Sequence, residues 1–229
     1  NVSLGTSTLR FNTSGSNNTA IGHQSLYSNS TANGQTAVGY QASYSNTTGL
    51  LNTSLGYQAL KANTTGGYNV ASGYTALDSN TTGSYNAAYG AYALQSNTTA
   101  SENTAVGYQS LYSNVTGTEN TAVGKGSLYA NTGSYNVAVG RNSMTSNTSG
   151  ASNTSLGTTS LRDNTTGSNN VALGLSALQS NTTGSQNTAI GYQAGFSNST
   201  SIGNTAIGYA AAKANTTGNN NTAVGRDSL

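Results

Sequence analysis

The sequence predicts an all-β fold, a parallel β-solenoid with about thirteen and a half coils of 17 residues. Three observations predict it. One pattern returns every 17 residues from end to end, the composition suits hydrogen-bonded strands better than helices, and one glycine recurs at the same place in every copy.

Counting from Asn1 as column one, the unit restarts at Asn18, Gln35, Asn52, Asn69, Asn86, Asn103 and Asn120, then at Asn136, Asn153, Asn170, Asn187, Asn204 and Asn221. Only the unit from Asn120 is short, by one residue. The consensus is N-T-A-[VIL]-G-Y-Q-[AS]-L-x-S-N-T-T-G-S-N. Seventeen residues are too few for the helix pairs of α-solenoids. So much Gly, Asn, Ser and Thr also disfavours helix. The chain has no Pro, which could not donate to a ladder of strands.

Each column has a physical reading. Columns two to five and seven to ten read as two short strands, separated by turns at the Gly of column five and at N-T-T-G. Column five is Gly in all fourteen copies, from Gly5 to Gly225, which implies positive φ or a close backbone approach. Columns three and eight are small. Column four is usually Val, Ile or Leu and column nine usually Leu, so these two are expected to form a thin inner apolar seam. Its exceptions (Ser72 and Tyr89, Gly195 and Ala212, Ser43 with Leu50 and Leu51) read as local repacking. Coils spaced about 4.8 Å apart would make a rod on the order of 65 Å long. Residues 1–229 read as a single uncapped array, a segment of a longer fibre.

Composition narrows the function. Only 5% of residues are charged and the net charge is +2, with the basic residues scattered, which excludes a nucleic-acid footprint. No Cys is present, so disulfides and thiolate metal sites are excluded. No apolar run reaches the roughly 18 residues of a membrane span. His23 is the only His, and Asp78, Glu102, Glu119, Asp163 and Asp227 lie in different coils. No pair is placed for acid–base work. The chain therefore reads as neither an enzyme nor a metal or cofactor protein.

Two rows are candidate sites. Column twelve is Asn in all thirteen complete units, and twelve of these fit N-x-[ST]: Asn12, Asn29, Asn46, Asn63, Asn80, Asn97, Asn114, Asn147, Asn164, Asn181, Asn198 and Asn215. Asn131, in the short unit, does not. The pattern predicts N-glycosylation on a turn. The competing reading is an Asn ladder with stacked Thr. Thr13, Thr47, Thr48 and their equivalents offer O-linked acceptors instead. Column one is a control, since it is nearly always Asn but forms a sequon only at Asn1, Asn52 and Asn153. The second row is aromatic: Tyr40, Tyr57, Tyr74, Tyr108, Tyr192 and Tyr209 in column six. It is either a surface that stacks on sugar rings or a stabilising aromatic ladder.

The stretches NTAIG at 18–22, 187–191 and 204–208 and NTAVG at 103–107 resemble the head repeats of trimeric autotransporter adhesins. NTAVGYQSLYSNVTG at 103–117 is similar to the repeat arrays of phage-type and environmental fibre proteins. This resemblance implies a left-handed parallel β-roll, a homotrimer, and surface attachment or structural reach. The N-T-T-G turn departs from the shorter adhesin coil, and a single-chain solenoid polymerising end to end stays open. The expected function is an extracellular structural fibre at a cell or virion surface, glycosylated once per coil. The alternatives are an adhesin or receptor-binding fibre that contacts surface glycans, and an ice-binding solenoid.

Overall fold

The structure is a computed structural model and describes residues 1–229. It is all-β, and each strand is three residues long, beginning at column two. The chain forms two compact units, Asn1–Thr118 and Glu119–Leu229. The first holds β1 (Val2–Leu4), β2 (Thr19–Ile21), β3 (Thr36–Val38), β4 (Thr53–Leu55), β5 (Val70–Ser72), β6 (Ala87–Tyr89) and β7 (Thr104–Val106). The second holds β8 (Thr121–Val123), β9 (Val137–Val139), β10 (Thr154–Leu156), β11 (Val171–Leu173), β12 (Thr188–Ile190), β13 (Thr205–Ile207) and β14 (Thr222–Val224).

Within each unit consecutive strands pair in parallel, so Thr19 lies beside Thr36 and Thr188 beside Thr205. The short coil keeps register: Thr121 pairs with Val137, 16 residues on. The missing residue is taken from the turn, where Asn131-Thr132-Gly133 replaces a four-residue N-x-[ST]-G. Each coil is thus one turn of a parallel β-solenoid.

The glycine of column five meets both conditions the sequence suggested. Gly73 sits at φ +146°, and a Cβ on it would lie 2.5 Å from the carbonyl oxygen of Gly90 in the next coil. No side chain fits there.

Two expectations about the coil are corrected. Columns seven to ten do not form a second strand. Alternate residues there adopt left-handed backbone, as at Gln58 (φ 52°) and Leu60 (φ 56°). This geometry costs a non-glycine residue about 1–2 kcal/mol. It is offset by bonds to both neighbouring coils: Gln58 N–H donates to Tyr40 and Leu60 N–H to the carbonyl of Ala76. Leu60 is at the same time fully buried.

The apolar seam is also different. Column four points outward, and Leu55, Leu156 and Leu173 are about two-fifths exposed, at 40%, 45% and 39%. Alternation along a three-residue strand sends only its middle residue inward. That residue is the small one, as in Ala20, Ala37 and Ala71, and it packs against the Leu of column nine. The apolar seam is thus made of Ala or Ser with, in most coils, one Leu. Where Ser43 replaces that Leu, its hydroxyl bonds that of Ser54 at 2.9 Å, so the substitution is matched by a second one.

Candidate functional site

Column twelve lies inside the coil. Ten of its twelve sequon asparagines are buried, and only Asn12 and Asn215 are partly exposed. Asn80 shows the arrangement. Its Nδ2 donates to Oδ1 of Asn63, one coil back, at 2.8 Å and to the carbonyl of Gly83 in its own turn at 2.9 Å. Its Oδ1 accepts from Nδ2 of Asn97 at 2.8 Å. Both amide protons are used. Asn181 likewise spends its amide on Asn164 Oδ1 and the Gly184 carbonyl. A sugar on Nδ2 would have to displace one of these bonds and enter a space already filled. The side chains of column twelve thus lie in a stacked amide ladder.

A second ladder runs beside it. Asn69 of column one donates from Nδ2 to the same Gly83 carbonyl at 2.9 Å, while its Oδ1 accepts the backbone N–H of Asn86 at 3.0 Å. The carbonyl of column fifteen therefore joins the two rows. Gln35, the one Gln in column one, shows why Asn is preferred. Its longer side chain reaches the Gly49 carbonyl but leaves Oε1 buried without a partner.

Column fifteen tunes the rungs. A Cβ on Gly66 would lie 2.6 Å from Asn63 Oδ1. Where Gly holds this place, the rungs formed measure 2.6–2.8 Å, as at 2.8 Å from Asn63 to Asn46 and from Asn97 to Asn80 and 2.6 Å from Asn164 to Asn147. Where Ala32 and Ala100 hold it, the rungs to Asn29 and Asn97 stretch to 3.3 and 3.2 Å. At Ser201 the hydroxyl takes Asn198 Oδ1 for itself, and Asn181 Oδ1 is left without a partner.

The column-six tyrosines are exposed and stack on one another. His23, Tyr40, Tyr57 and Tyr74 form a continuous pile with centroids 5.5, 5.1 and 5.2 Å apart, and Tyr192 and Tyr209 form another at 5.1 Å. Tyr92 meets both Tyr74 and Tyr108 edge-on. Inside a pile, ring faces are covered by neighbouring rings, and only edges and hydroxyls reach solvent. A sugar ring has no face to stack on there. Two further pairs were not singled out in the sequence, Tyr27 with Tyr44 in column ten and Tyr68 with Tyr85 in column seventeen. The same 17-residue spacing marks them.

Little else carries chemistry. Neither unit has a surface pocket. No three acidic, His or Cys side chains converge as metal ligands. Arg162 pairs with its neighbour Asp163, whose hydrogen bond raises the guanidinium pKa further. Burial pushes the Asp78 carboxyl up, partly opposed by Lys61. No helix is long and apolar enough to cross a membrane. Comparison with known protein families, curated proteins and solved structures finds no match.

Proposed function

We propose that the chain is a structural segment of an extracellular fibre that associates with further copies of itself. One observation carries this reading: the polar order runs along the stacking direction, in repeated bonds that each coil offers to the next. Backbone and Asn rows do so within each unit, and Tyr rows extend the pattern over some of the coils. Such a stack gives length and resistance to proteolysis and needs no cleft. The outward face of the strands supports the association. Columns two and four hold only uncharged residues, and Leu55, Tyr89 and Val106 in the first unit and Leu156, Leu173 and Ile207 in the second are exposed there. Uncharged apolar rows of this kind mark surfaces that meet a partner.

The reading is tested by immunogold electron microscopy on the source organism with an antibody against the chain. Label along surface or virion filaments is expected. Label confined to the cell interior, or on particles that never form filaments, sinks it. A receptor-binding fibre would instead lose attachment to host glycans when Tyr40, Tyr57 and Tyr74 are replaced together, and an ice-binding solenoid would show thermal hysteresis.

A further inference from the structure

The N-T-T turn contains one hydroxyl that the fold does not use. In column thirteen each hydroxyl from Thr13 to Ser199 has a structural partner in the next coil: Thr47 donates to the Thr64 carbonyl at 3.0 Å, Thr64 to Thr81 at 3.0 Å, and Thr165 to Thr182 at 3.0 Å. Column fourteen, one residue on, behaves differently. Ser14, Thr31, Thr48, Thr65, Thr82, Thr99, Thr116, Ser149, Thr166, Thr183, Thr200 and Thr217 are all exposed. Eight of them bond the next coil through the backbone N–H, as Thr48 does to Thr64, yet none of the twelve hydroxyls makes a bond within the protein.

The identity of this column is nonetheless fixed. It is Ser or Thr in every full-length coil, twelve of twelve. The two columns that close the coil have drifted through unrelated residues, although the named positions of column seventeen are just as exposed. Column sixteen runs through Leu50, Gly67, Ser84, Ala151 and Ile202, and column seventeen through Leu51, Tyr68, Glu102 and Gln186. Shared ancestry of the repeats would preserve all these columns alike. A β-branched shape alone would admit Val, as column thirteen does at Val115. What column fourteen keeps is the hydroxyl. Packing does not explain this, since the group faces water.

We propose that the column-fourteen Ser and Thr hydroxyls are O-glycosylation acceptors, one for each full-length coil. The hydroxyl oxygen attacks the anomeric carbon of a sugar donor activated by a phosphate leaving group. One C–O bond forms, the bond to the phosphate breaks, and the hydroxyl proton passes to a base of the transferase. The site is open to such an enzyme on the folded chain, whereas the Asn of column twelve is enclosed. Coils about 4.8 Å apart leave room for narrow chains of sugar rather than branched ones at adjacent sites. The short coil, which lacks column fourteen, carries none. This inference does not depend on the fibre reading, because it concerns the turn alone.

The test is site-localised glycopeptide mass spectrometry on protein from its native source, with electron-transfer fragmentation and a parallel alkaline β-elimination. Expected are hexose-class mass additions on Thr48, Thr65, Thr82 and their equivalents. Base should convert these Thr to dehydrobutyrine. Thr47, Thr64 and Thr132 should be bare. Full sequence coverage with column fourteen unmodified overturns the proposal. So does sugar located on column thirteen, or enzymatic release that converts Asn63 or Asn80 to Asp and so places the sugar on the amide.

Discussion

Replacing Asn80 with Ala tests whether the buried amides hold the coils together. The change removes three side-chain bonds, to Asn63, Gly83 and Asn97. The Gly83 carbonyl keeps the amide of Asn69, and Asn97 keeps the Ala100 carbonyl. Two groups are orphaned: Oδ1 of Asn63 and one N–H of Asn97. Each buried, unsatisfied polar group costs about 1–3 kcal/mol, so the expected loss is about 2–6 kcal/mol. The control is Thr82→Ala two residues away, an exposed change expected to stay within about 0.5 kcal/mol. Urea unfolding of both variants, read by far-ultraviolet circular dichroism, gives the difference. Because coils can open locally, hydrogen exchange at the Thr81 and Thr98 amides should report the same loss. A double-mutant cycle with Asn63→Ala should show coupling, since the two side chains share a rung. An Asn80→Ala variant as stable as Thr82→Ala would refute the reasoning and return column twelve to an exposed role.

Three further outcomes follow from particular contacts. Gly73→Ala should lower stability by about 3 kcal/mol or more in the same unfolding assay, because its Cβ would meet the Gly90 carbonyl at 2.5 Å in a strained backbone region. Gln35→Asn should stabilise by about 1 kcal/mol, by letting a shorter Oδ1 accept the Asn52 N–H as its equivalents do one coil on. The raised carboxyl pKa of Asp78 means that the folded state holds its proton more tightly than the unfolded one, where the ordinary value is 3.8. Its contribution to stability therefore falls as pH rises from about 3.8 through the higher folded value. Asp78→Asn should remove that part of the pH dependence, measured as the unfolding midpoint against pH.

The repeat made much of this fold legible. Every strand begins at column two, and the glycine of column five was readable because its absence of variation has a steric cause visible in one coil. The direction of a side chain was harder to read. Val, Ile and Leu in column four look like core residues, yet a three-residue strand has room to bury only Ala or Ser, and the large residues turn out. Columns seven to ten read as a strand because, like columns two to five, they supply one large apolar residue and one small one. Left-handed backbone at Leu60 and its equivalents is not a preference of Leu and is imposed by the neighbouring coils. The sequence marked Asn80 as a candidate for either a glycan or a stacked ladder. Whether its amide faced water or Asn63 depends on a bond to a residue 17 positions away, and nothing local in N-T-T-G encodes it.

The central claim is that buried amide ladders, more than apolar volume, order this chain. Side-chain hydrogen exchange of the ¹⁵N-labelled Asn amides tests it most directly. The account predicts that the Nδ2 protons of Asn63, Asn80 and Asn164 exchange as slowly as the backbone amides of the strands. Exchange at the rate of free asparagine, with the strand amides still protected, would contradict it.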